Sequence, residues 1–92
     1  MAEAFVMVYA TLRKKLGFSK IALRGSTVGD LLDRLCALKA PHVREVLLDG
    51  AGAVKNHFVL VLNSEMLDNG RAAGVKVKNG DILHIFPPVS GG

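Results

Sequence analysis

The residues that could do chemistry are few, and they gather at one end of the chain. It finishes Phe86-Pro87-Pro88-Val89-Ser90-Gly91-Gly92, a strand-like run, a stiff proline pair, then residues with almost no side chain. Glycine has no Cβ, so the walls of a partner's active site can close tightly around it. A slender arm ending in a carboxylate suits insertion into a narrow site where that carboxylate is modified. A carboxylate resists nucleophiles because it is already negative. Joining it to AMP from ATP neutralises the charge and supplies a leaving group. A persulfide sulfur that displaces AMP leads to a thiocarboxylate, and an amine gives an amide. The competing reading is a frayed end without chemistry.

The arm has the dimensions for that task. With residues 87–92 extended at ~3.1 Å each, the terminal carboxylate stands roughly 19 Å from the body. Pro87 and Pro88 restrict the base of the arm and reduce the entropy lost on entering a channel. Val89 offers a small apolar anchor, while Ser90, Gly91 and Gly92 need only a thin tunnel whose walls bond the backbone. A bulkier residue at Gly91 or Gly92 is expected to block entry without unfolding the domain.

Elsewhere no self-contained active site emerges. His42, His57 and His84 are far apart, with no cysteine or carboxylate at metal-ligand spacing. His84 alternates with Ile82 and Phe86, which marks a surface or partner-facing histidine rather than a ligand. The acidic residues are scattered, and no pair recommends itself as acid and base. Ser19, Ser26, Ser64 and Ser90 lack a nucleophile-elbow setting. Gly50-Ala51-Gly52 is not followed by a lysine–serine pair, so it is no phosphate cradle. Cys36, the one cysteine, reads as a small buried apolar residue with no activating neighbour. The expectation is a chain that is not an enzyme unaided and binds no metal or cofactor of its own.

Ninety-two residues make one domain with a single core. With 50% hydrophobic and 22% charged residues, the composition excludes a disordered or low-complexity chain. No apolar run approaches the ~20 residues of a membrane span. Met1-Ala2-Glu3-Ala4 lacks the basic start and apolar core of a signal peptide. A lone cysteine also agrees with a reducing compartment, and a cytoplasmic location is expected. The net charge of +4 gathers at Arg13-Lys14-Lys15 and at Lys76 and Lys78. Only 5% of residues are aromatic and none interleaves a basic stretch, which disfavours nucleic acid. A solvated face, or complementarity to an acidic partner protein, fits better.

The elements that must present the arm follow from periodicity. Phe5 to Tyr9 is apolar throughout, the pattern of a central strand covered on both faces. A bridging piece from Ala10 leads to a turn at Gly17. Ser19 to Leu23 alternates as a strand with one face in the core. Thr27 caps the clearest helix, with Asp30 completing a capping box. Val28, Leu31, Leu32, Leu35 and Leu38 form its core stripe, and Pro41 ends it. Val43 to Leu48 hints at a short helix and Asp49 to Gly52 at a turn; residues 41–55 receive no role. His57 to Leu62 is a strand, Met66-Leu67 a brief edge pairing, and Asn79-Gly80-Asp81 a tight turn. Ile82 to Phe86 is the last strand, stopped by Pro87. This order gives a two-layer α+β domain over residues 1–86 with an extended tail over 87–92.

Three segments carry a family resemblance. The ending from Phe86 to Gly92, preceded by Asn79-Gly80-Asp81, resembles that of molybdopterin synthase small subunits, ubiquitin-like sulfur carriers. Val8 to Arg13 is similar to the family's opening strand and following segment, and Val61 to Glu65 to its middle strand and turn. The resemblance implies a β-grasp fold, a mixed four- to five-stranded sheet with one main helix across it and first and last strands parallel and adjacent. It further implies that Gly92 is adenylated by a ubiquitin-activating-like enzyme using ATP and magnesium. The thiocarboxylate, loaded from a sulfur donor protein, would enter the synthase large subunit and deliver sulfur to a pyranopterin precursor. Phe86, Pro87, Pro88, Val89, Ser90 and Gly91 would then contact partners, with Gly92 the reacting end. Related diglycine carriers serve thiamine, cysteine or tRNA thiolation, and some are conjugated to lysines as modifiers.

Overall fold

The computed structural model describes residues 2–39 and 42–87. Strands β1 (Ala2–Val8), β2 (Lys20–Gly25), β3 (Val59–Leu62), β4 (Glu65–Leu67) and β5 (Ile82–Phe86) form one sheet in the order β2-β1-β5-β3-β4. β1 and β5 run parallel in register, Phe5 beside Ile82 and Val8 beside Ile85, and the other pairings are antiparallel. Helices α1 (Thr11–Leu16), α2 (Val28–Lys39) and α3 (His42–Leu47) complete the β-grasp arrangement.

The core lies on one face of the sheet. Ala4, Val6 and Val8 alternate inward on β1, Leu60 and Leu62 on β3, and Leu83 and Ile85 on β5. They meet Val28, Leu31, Leu32, Leu35 and Cys36 of α2, and all are buried. Each such aliphatic side chain stabilises the fold by about 1.5–3 kcal/mol relative to exposure. β1 was expected to be covered on both faces. Instead Phe5 and Met7 are half-buried, because every described helix lies on the inner side.

The start of α2 follows its sequence closely. The Asp30 N–H donates to Thr27 Oγ1 at 3.1 Å, and Asp30 Oδ2 accepts the Ser26 and Thr27 N–H groups. Side chain and backbone thereby satisfy each other's orphan groups. The far end departs from expectation. Leu38 is 63% exposed rather than part of the core stripe, because it lies where α2 passes the edge strand β2 and no further described strand covers it.

One connection holds a helix that its sequence did not suggest, and in a second the expected short helix and turn are joined by a clasp. Ala10 to Gly17 holds helix α1, which buries Leu12 and Leu16 and ends at Gly17 in the left-handed conformation at φ 81°. Its six residues are too few for helical periodicity to stand out. Residues 42–55 form α3 and a clasp: Leu48 bridges Val54, and Asp49 Oδ1 accepts the Ala51 and Ala53 N–H groups. Val43, Leu47, Leu48 and Val54 are buried, so this stretch extends the core. Pro41 lies outside the described residues.

Candidate functional site

β5 is the element that delivers the chain to its end. Its start is fastened at the turn after Lys78. Asp81 Oδ2 accepts the Lys78 N–H at 2.8 Å and Asp81 Oδ1 accepts from Asn63 Nδ2 at 3.1 Å. The Lys78 backbone N–H, then the Asn63 amide, hold the Asp81 carboxyl below the usual carboxylate range. Asn63 Oδ1 in turn accepts the Ile82 N–H, and Asn79 Oδ1 accepts the Glu3 N–H at 2.8 Å. β5 is thus pinned to both neighbouring strands before it crosses the sheet.

At its other end β5 carries an aromatic platform. The Phe86 ring stacks on Tyr9 with centroids 4.4 Å apart and planes 14° from parallel. Tyr9 Oη lies 2.6 Å from His84 Nδ1, and the His84 ring is 6.2 Å from Phe86. Whichever partner donates, that bond holds phenol and imidazole in one arrangement. Val59 pairs with Phe86 and Val61 with His84 in register, and Met66 of the edge strand pairs with Val61. Phe5 and Met7 continue the surface on β1, where Lys20 Nζ sits 4.6 Å from the Phe5 ring centroid.

This outer face offers contact area rather than reactive groups. Aromatic and aliphatic side chains stand half-buried, and a partner that covers them gains area at little entropy cost. No group of His, Cys, Asp and Glu able to hold a metal ion occurs among the described residues. Cys36 is buried, and that burial pushes its thiol up from the ordinary range, a protonated and poorly nucleophilic state.

Of the residues singled out in sequence, Phe86 and Pro87 stand at the root of the arm, half-buried. Pro88, Val89, Ser90, Gly91 and Gly92 lie outside the described residues. His84 is half-buried on the outer side of the sheet, between the inward Leu83 and Ile85. Tyr9, Met7, Val59 and Val61 were not anticipated as part of this surface. The signal was present as period-two spacing of Phe5, Met7 and Tyr9, but a run apolar on both sides hides which face is open.

The parallel pairing of the first and last strands, at the middle of a sheet whose inner face the helices cover, defines a ubiquitin-like β-grasp domain, with an aromatic surface at the exit of its last strand. Residues 6–92 match the ThiS family, and the chain belongs to it, a family of ubiquitin-like sulfur carriers. The Haloferax volcanii HVO 2177 protein is similar at 31% identity and TM-score 0.75, covering 99% of this chain and 87% of that one. Small archaeal modifier protein 1 of H. volcanii is similar at 26% identity and TM-score 0.81, over 97% of this chain and 100% of that one. A putative molybdopterin converting factor subunit 1 from Pyrococcus furiosus shares the fold at 20% identity and TM-score 0.69, over 97% and 100% of the two chains. No curated protein matches the sequence.

Proposed function

We propose that this carrier is the small subunit of a molybdopterin synthase, loaded with sulfur at Gly92 by partner enzymes. The observation that carries the reading is a family match that runs through Gly91-Gly92, beyond the point where β5 leaves the sheet. The Pro87-Pro88-Val89-Ser90 approach supports the molybdopterin type over the thiamine type.

The chemistry belongs to the tail and the partners. The Gly92 carboxylate attacks the α-phosphorus of ATP in an activating enzyme, with magnesium there, and pyrophosphate leaves. A donor persulfide attacks the acyl carbon and AMP leaves. A second thiol then exchanges at the acyl disulfide, releasing the thiocarboxylate and leaving a disulfide behind. In the large subunit the thiocarboxylate sulfur bonds to a carbon of the pterin precursor, and water then cleaves the resulting thioester, leaving the sulfur on the precursor and returning the Gly92 carboxylate. This chain's own contribution is presentation: the β5 anchor, the aromatic platform that docks the partner, and a slender arm.

Native protein isolated from cells tests the loading step by intact mass. A species with one oxygen replaced by sulfur at the C-terminus is expected, and free carboxylate alone under cofactor demand overturns it. The docking surface is tested by Phe86→Asp, which is expected to abolish complex formation with the large subunit while leaving the fold intact; undiminished affinity refutes it. Likeness to small archaeal modifier protein 1 favours one second reading, conjugation through Gly92 to lysines. Branched lysine-linked peptides from cells would establish that alternative.

A further inference from the structure

A second surface lies along β2, two strands from β5 in the sheet. Among the described residues β2 is an edge strand, paired only with β1. The Val8 N–H donates to the Ser19 carbonyl at 3.0 Å. Antiparallel alternation then turns the amides and carbonyls of Ile21, Leu23 and Gly25 toward β1. Lys20, Ala22 and Arg24 therefore direct theirs outward, to the open edge. Beside that edge runs a groove of about 390 Å³, lined by Glu3 of β1, Ala22 and Arg24 of β2, and Arg34, Ala37 and Leu38 of α2. The exposure of Leu38, at 63%, falls within this groove and gives it an apolar anchor point.

We propose that the groove binds an extended segment of another protein, apolar at its centre and acidic at its flanks, which adds to β2 as a further antiparallel strand. The outward backbone groups of Ala22 and Arg24 supply the ladder bonds, and Leu38 and Ala37 receive the apolar side chain. Charge decides the occupant. A second copy paired β2 to β2 about Ala22 would set Lys20 opposite Arg24 on both sides, and like charges directly opposed are destabilising. An acidic strand turns both oppositions into attractions. Glu3 faces Arg24 across the β1–β2 ladder and offsets part of its charge, while the exposed Lys20 at the other end of the strand keeps the edge positive.

The position permits simultaneous use of both surfaces. β2 is separated from β5 by β1, and Arg24 lies beside Glu3 at the start of β1. Phe86 lies beyond the other end, where Val8 pairs with Ile85. A segment held on β2 leaves the arm free to enter an active site, so the edge would serve as a tether for an enzyme that handles the carrier.

The test titrates the full chain with a synthetic peptide, acetyl-Glu-Glu-Val-Ile-Val-Asp-Asp-amide, followed by amide NMR shifts and hydrogen exchange. Shifts at residues 20–25 and 34–38, with slowed exchange at Ala22 and Arg24, are expected. Arg24→Glu is expected to weaken binding about tenfold, and added salt to weaken it further. Ala22→Pro removes an outward N–H that the sheet does not use and is expected to abolish protection at the edge. The same titration on a chain lacking Gly91 and Gly92 is expected to be unchanged, which separates this outcome from that of the carrier chemistry. Equal binding of a lysine-flanked peptide, shifts confined to Tyr9, His84 and Phe86, self-association through β2, or no saturable binding would each overturn the proposal.

Discussion

The two faces of this one sheet are made from the same few strands, yet they do opposite work. Inward, Ala4, Val6, Val8, Leu83 and Ile85 are buried under α2 and hold the fold. Outward, Phe5, Met7, Tyr9, His84 and Phe86 are half-buried, with no described helix over them. Hydrophobicity alone does not separate them, since Phe86 is as apolar as Ile85. What separates them is the parity of position along the strand and which side the helices occupy. In a carrier the division has a purpose. The inner face can be optimised for stability while the outer face stays available for successive partners.

The comparison breaks most visibly if an inner residue is truncated. Leu83→Ala leaves a cavity at a side chain with no exposed surface and is expected to cost about 2–5 kcal/mol by denaturant unfolding. Three positions along the strand, on its outer face, the penalty should be smaller. Phe86→Ala removes the ring that stacks on Tyr9, and a loss of about 0.5–1.5 kcal/mol is expected from the aromatic pair. A loss equal to that of Leu83→Ala would mean that the outer face is a second core. Thr27→Ala tests how firmly the covering layer is placed, with an expected cost of about 1 kcal/mol and little change in partner affinity.

The smallest expected effect is a pH dependence at the turn that launches β5. Asp81 has a folded pKa below its unfolded value, so its contribution is present above about pH 4 and is lost as pH falls through the folded value. Asp81→Asn should therefore narrow the gap in stability between neutral and acidic pH, read from melting temperatures across that range. The group is exposed, so the change should be slight. An Asp81→Asn protein with an undiminished acid transition would assign that transition elsewhere.

Much of the fold was legible where a signal was local. The Thr27–Asp30 capping box marked the start of α2, Asn79-Gly80-Asp81 the turn before β5, and Pro87 the end of that strand. Helix α1 was hidden because six residues with buried Leu12 and Leu16 show barely one helical repeat. The clasp of Leu48 and Val54 was hidden for a different reason: its meaning depends on contacts with α3. Leu38 misled, because a helical stripe records which residues share a side but not where the sheet beneath them stops.

For the candidate site the same limit applies. Phe86 and Pro87 were legible because they lead directly into the diglycine end, whose chemistry depends on residue type and order alone. Tyr9 was not, because it lies 75 positions from His84 and only the parallel β1–β5 pairing brings them to 2.6 Å. By itself the sequence determined the local geometry: caps, turns and strand alternation, all set by interactions among near neighbours. The tertiary structure alone decided which face of the sheet stays open and which distant side chains meet there, because parity chooses a side only once the helices have packed.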